Sequence, residues 1–265
     1  MIGAIVGDII GSPYEHHNVK RKNFHLFTHR SRFTDDTVMT IAVAQALMVA
    51  RESGVLNDEQ SVKAMVVMSM HHWGLEYLHA GYSRRFKQWL VNDEIEPYYS
   101  YGNGSAMRVS PAGWIADDIE TTRQIARWTA EVTHNHPEGV KGAEAVASAI
   151  FLARAYQPNE VIKDYIASEF GYNLNRSCDK IRRRYRFDAS CQGSVPEAIT
   201  AFLEGKDFED VIRNAVSLGG DSDTIAAIAG SIAEAFYGVP EAICDTCMQK
   251  LPGDIMEVVT MWRSN

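Results

Sequence analysis

TVMTIAVAQALMVARE, residues 37–52, decides the fold class. Its apolar side chains, Val38, Ile41, Ala42, Ala44, Leu47 and Met48, recur at helical spacing. Working outward, the same spacing predicts helices over 59–73, 121–132, 139–156, 195–203, 207–218, 223–237 and 241–250. Pro158, Pro196 and Pro240 stand where helices can begin. Alternating strand patterns are scarce, and no Asn-Gly hairpin sits between two of them. The expectation is an all-α fold, a compact helical bundle forming one domain over residues 1–265. The longest polar, turn-rich stretches, 14–33, 92–111 and 171–194, read as loops, and long loops in a compact domain are often functional.

Bulk properties agree with a globular chain. Of its 265 residues 46% are apolar and 23% charged, and the net charge is −8. A net-acidic surface argues against general nucleic-acid or anionic-membrane binding and suits divalent cations. The basic runs Lys20-Arg21-Lys22 and Arg182-Arg183-Arg184 are short; they read as solvated surface, with a phosphate contact as the sharper alternative. Cys244 and Cys247 form a C-x-x-C with no second pair to complete a zinc site, so ordinary reduced thiols are expected. No run approaches the ~18 apolar residues of a membrane helix, and the first residues lack a basic leader. A cytoplasmic monomer is expected.

Gly3, Gly7 and Gly11 fall every four residues, on one face of a helix. Such a face permits close approach by another helix or by a ligand. Phe33-Thr34-Asp35-Asp36-Thr37 places two carboxylates at a helix start, where capping and the helix dipole alone would favour them. Leu218-Gly219-Gly220-Asp221-Ser222-Asp223-Thr224 repeats the arrangement behind a Gly-Gly turn. Capping accounts for one acid at each start and poorly for four. Hard divalent cations take oxygen ligands, about six for Mg²⁺, and two helix starts carrying carboxylates and threonine hydroxyls offer two such shells. A D-D-x-x-D motif would need an acid where Met39 stands, and an EF-hand would need further acids and a terminal Glu.

With Gly7-Asp8-Ile9-Ile10-Gly11 and Glu15, these two clusters resemble the ADP-ribosylglycohydrolase family. Tyr101-Gly102-Asn103-Gly104-Ser105-Ala106-Met107-Arg108 and Thr133-His134-Asn135-His136-Pro137 agree with it, in the family's order. The resemblance runs from the first helix to about Tyr237. It implies an all-α fold, a centre of two Mg²⁺ or Mn²⁺ ions, and hydrolysis of the glycosidic bond between ADP-ribose and an acceptor. By position, Thr34, Asp35, Asp36, Asp221, Asp223 and Thr224 would be the metal ligands. Asp36 and Glu15 are the candidate catalytic groups, Glu15 gating the site and assisting the leaving group. Asp8 is expected to support the site rather than bind metal. Ser100, Tyr101, Gly102, Asn103, Gly104, Ser105, Met107 and His134 would contact the substrate, with backbone N–H groups of the glycine loop suited to a diphosphate. His136 reads equally as a structural histidine. Phe86, Trp89, Tyr185 and Phe187 are candidates for an adenine wall. The alternative functions are a helical two-metal phosphohydrolase acting on a nucleotide diphosphate and a non-catalytic ADP-ribose-binding protein; intact acidic clusters count against the latter.

Overall fold

The computed structural model describes residues 1–92 and 95–264. Among them are fifteen α-helices and a short 3₁₀ turn, with no strand beyond one isolated bridge between Gly102 and Ser190. The centre is α13 (Ser222–Tyr237), whose run from Ser222 to Ala233 is buried on every side. Small residues (Ala226, Ala227, Ala229, Gly230, Ala233) let neighbours approach its backbone. Around it lie α1 (Ile2–Gly11), α8 (Pro137–Arg154), α11 (Cys191–Leu203) and α12 (Phe208–Leu218).

The glycine face of α1 is spent on this packing. A Cβ at Gly3 would sit 2.1 Å from the Gly230 carbonyl oxygen, and one at Gly7 2.0 Å from that of Ala226. At Gly11 it would meet the Asp223 Cα at 2.5 Å. Of the two readings of the Gly3-Gly7-Gly11 spacing, helix packing is the observed one. Its consequence is positional, because it draws Asp8 on α1 against the acidic start of α13.

A second layer is formed by α2 (Asp35–Glu52) with α3 (Glu59–Glu76), and by α7 (Ile119–Glu131) on α8. Thr34 caps α2, its Oγ1 accepting the Asp36 N–H at 3.3 Å, so the helix starts at Asp35, two residues before the stretch read from the sequence. Shorter helices complete the shell: α4 (Arg84–Val91), α5 (Gly104–Met107), α6 (Ala112–Ile115), α9 (Asn159–Phe170), α10 (Cys178–Arg184), α14 (Glu241–Met248) and α15 (Gly253–Ser264).

Several boundaries depart from the sequence reading. Pro196 lies inside α11, because Ser190 starts that helix by accepting the Gly193 N–H at 3.1 Å. The proline forfeits one backbone bond there. The 171–194 loop contains α10, capped by Ser177. With only Cys178 and Ile181 buried, it shows no period. Neither α4 nor α15 was expected, although α15 packs on α2. All four cysteines are buried free thiols. Among the described residues no helix is long and apolar enough to cross a membrane.

Candidate active site

Three helix starts and two loops converge on a cavity of about 540 Å³. The Gly219-Gly220 turn makes the first wall. Both residues adopt positive φ, +72° and +73°, a conformation available to glycine and strained for other residues. The turn aims Asp221 into the cavity. Asp221 occupies the N-cap position of α13, yet its side chain caps nothing. Its Oδ2 accepts instead from Asn103 Nδ2 at 2.8 Å. Carboxylate oxygens of Glu15, Asp221 and Asp223 lie within 4.8 Å of one another.

The second wall is the start of α2. Asp36 Oδ2 accepts from Thr224 Oγ1 at 3.2 Å, which joins the two acidic clusters directly. Asp36 Oδ1 is buried with no hydrogen-bond partner. Beneath them Asp8 accepts four bonds, from the backbone N–H and hydroxyl of Thr34 and of Thr37. Asp8 therefore holds the loop that carries Thr34, Asp35 and Asp36.

The electrostatics are those of like charges crowded together. Burial, then the charges of Asp8, Asp35 and Asp221, holds the Asp36 carboxyl well above its usual range. Burial, then Asp221 and Asp36, does the same to Asp223. Asp35 is pushed up to about 7 by burial and then Asp8. Asp8 itself goes up to about 6, because burial outweighs its hydrogen bonds. Burial also raises Asp221 and Glu15. Such a set relaxes either by taking up protons or by taking up cations.

The donor chemistry fits hard divalent cations. All the clustered ligands are oxygens, one of them, Asp36 Oδ1, without a partner. The two threonine hydroxyls give their protons to carboxylates, Thr34 to Asp8 at 2.8 Å and Thr224 to Asp36. Thr34 Oγ1 also accepts the Asp36 N–H, which leaves it one free lone pair, and Thr224 Oγ1 has lone pairs free as well.

The glycine loop and His134 form the far side. Gly102, Asn103, Gly104, Met107, Ser100 and His134 all line the cavity. His134 is buried, and burial, then Arg108, holds its imidazole well below its usual value, so it is neutral. Its Nδ1 lies 2.7 Å from Thr133 Oγ1, which already accepts from Arg108 Nη2 at 2.9 Å. A Thr133 proton given to Nδ1 would leave the hydrogen on Nε2, which faces Gly104.

Two of the expected substrate contacts do not line this space. Ser105 Oγ donates to the Gly139 carbonyl at 2.7 Å inside the protein, and Tyr101 stands 52% exposed with its ring edge on His136. His136 is the N-cap of α8, its Nδ1 accepting the Glu138 N–H at 3.0 Å. Of the four aromatic candidates, Phe86 and Phe187 line the cavity. Trp89 is stacked behind Phe86, and Tyr185 lies against Gly220 with its hydroxyl donating to Gly193.

Sequence reasoning passed over Asn18 and read Lys20 only as part of a short basic run, solvated or touching a phosphate. Asn18 donates to the carbonyls of Glu15 and Gly220 and accepts the Gly220 N–H, tying the Glu15 loop to the Asp221 turn. Lys20 Nζ donates to the carbonyls of Leu218 and Tyr185. A polar loop twenty residues long has no period that would single these two out.

The family model described as ADP-ribosylglycohydrolase matches residues 1–264. The chain belongs to the ADP-ribosylglycohydrolase family. The match continues beyond Tyr237, where the motifs end, through α14 and α15. Among similar proteins, mouse ADP-ribosylhydrolase ARH3 is 27% identical, covering 93% of this chain and 86% of that protein. ADP-ribosylarginine hydrolase Tri1 of Pseudomonas putida (strain GB-1) is 27% identical over 52% of this chain and 39% of its own. The solved structure of an ADP-ribosylglycohydrolase-related protein complex superposes with a TM-score of 0.69 over 98% of this chain and 94% of that one; at 23% identity it shows a shared fold.

Proposed function

We propose that this protein hydrolyses the glycosidic bond between ADP-ribose and an acceptor, releasing ADP-ribose, in a reaction that depends on two divalent cations. The observation that carries the reading is the orphaned Asp36 Oδ1, set among the crowded, like-charged carboxyls of Asp35, Asp221 and Asp223. Family membership and the activity named for the mouse relative support the same chemistry.

Thr34, Asp35, Asp36, Asp221, Asp223 and Thr224 would hold two Mg²⁺ or Mn²⁺ ions, which supply Lewis-acid grip on ribose hydroxyls and an acidified water. The residues of the chain do the rest. Bond breaking at the anomeric carbon builds oxocarbenium-like charge, which the surrounding carboxylates stabilise. Asp36 accepts a proton from the attacking water through the carboxylate oxygen that does not hold a cation. Glu15, raised by burial and by Asp221, carries a proton at neutral pH more readily than an ordinary glutamate and delivers it to the leaving group. Asn103 fixes the Asp221 carboxylate, and the His134 Nε2–H with the N–H groups of the glycine loop binds the diphosphate side of the substrate. Phe86 and Phe187 offer apolar walls for the base.

Product identity tests the proposal against the phosphohydrolase alternative, since the same oxygens would suit either. ADP-ribosylated serine, arginine and nucleobase acceptors are incubated with Mg²⁺ or Mn²⁺. Free ADP-ribose as product supports glycosidic hydrolysis. AMP or phosphate as product assigns the site to the alternative.

A further inference from the structure

Beside the active-site cavity runs a second groove of about 730 Å³, lined by Arg176, Lys180, Arg183, Arg184, Arg186 and Phe187 among others. It carries a strong positive field on a chain of net charge −8. The charge is uncompensated. Arg176 pairs with Glu197 at 2.6 Å, whereas Lys180, Arg183, Arg184 and Arg186 form no ion pair among the described residues. The other acid of the groove, Asp188, is engaged elsewhere, its Oδ1 accepting the N–H and hydroxyl of Ser190. Arg182 faces away from it, bonded to Ser217 and Asp179.

The groove adjoins the active site. Phe187, 57% exposed, lines both spaces. The Tyr185 ring and the Arg186 carbonyl lie against Gly220, the residue before Asp221. The groove thus lies beside the turn that carries Asp221, next to the place where the proposed reaction separates the acceptor from ADP-ribose.

We propose that this arginine groove docks an acidic stretch of an ADP-ribosylated protein, flanking the modified side chain; the inference rests on the hydrolase reading above. Charge complementarity and the shared Phe187 wall are its grounds. A polynucleotide fits less well. It carries a charge at every unit and calls for stacking platforms along its track, whereas the groove offers one exposed ring, two acidic residues in its walls and an acidic protein around it. A short peptide with a few carboxylates matches four free cations.

The test uses peptides ADP-ribosylated on serine and, separately, on arginine, with Glu-rich or neutral flanks. They are assayed with the metal-loaded enzyme and its Arg183→Glu/Arg184→Glu variant. The wild type is expected to show about tenfold higher kcat/KM on acidic flanks, lost in the variant and eroded by 0.5 M NaCl, with neutral-flank turnover unchanged. Equal kcat/KM on both flanks in the wild type overturns the proposal. Fluorescence anisotropy with an unmodified Glu-rich peptide and an oligothymidylate of equal charge reads the groove independently of catalysis. Tighter binding of the oligonucleotide also overturns it. Absence of turnover on every peptide, with Glu-rich peptide binding that the variant loses, contradicts the hydrolase reading and leaves the groove standing.

Discussion

Aspartates begin five helices of this protein, and they divide into two physical kinds. Asp58, Asp118 and Asp207 start α3, α7 and α12, each accepting the backbone N–H three positions on, from Ser61, Thr121 and Asp210 at 2.7–2.8 Å. The hydrogen bonds at Asp58 and Asp118 pull those carboxyls below their usual value. At α2 and α13 the pattern inverts. Asp221 holds the cap position without capping, Asp36 leaves an oxygen unpartnered, and Asp36, Asp221 and Asp223 are buried and shifted upward. The first three stabilise their helices. The second group costs stability in the cation-free protein, an arrangement characteristic of functional sites.

Substitutions should separate the two kinds. The largest effect is expected for Asp221→Asn or Asp36→Asn, with turnover falling more than about a hundredfold and helicity by circular dichroism unchanged. Full activity in both variants would contradict the assignment. Next, Asn103→Ala removes the donor that orients Asp221 and should lower cation affinity about 10–100-fold, read by titration calorimetry.

A smaller effect should appear in stability. Saturating Mg²⁺ or Mn²⁺, at about a hundred times its Kd, stabilises the fold by about 2.7 kcal/mol for each ion bound, or roughly 5–10 °C in Tm per ion. The direction with pH follows from the raised carboxyls. Their protonated form favours the cation-free fold fully below about pH 4, the unfolded value. That stability is lost as pH rises through about 6 for Asp8 and about 7 for Asp35. The Tm gain from cations should therefore be larger at pH 8 than at pH 5, and a gain that shrinks with pH would count against the site. Smallest of all, Asp207→Ala should cost about 1 kcal/mol and leave turnover untouched.

Much of this was legible in the residues. The long helices announced themselves through apolar side chains at helical spacing, as in α2, and α13, buried on every side from Ser222 to Ala233, through its length. Short helices escaped: α10 has two buried positions, too few to show a period, and α15 lies on the surface of α2. The acidic clusters were visible as motifs, but their junction was not. That Thr224 reaches Asp36 across 188 positions depends on α1 lying close against α13, and the glycines permitting it were compatible with a ligand role as well. Ser105 and Tyr101 show the converse limit. They sit in the right motif, yet one hydroxyl is consumed by Gly139 and one ring lies outside the cavity.

The central claim is that the two helix starts form one cation site. Mn²⁺ titrated calorimetrically into the wild-type protein at pH 7.5 tests it most directly. The account predicts saturable binding of two ions per chain, unaltered in Asp207→Ala and abolished or halved in Asp36→Asn. No saturable binding by the wild type, or equal binding by Asp36→Asn, would contradict it.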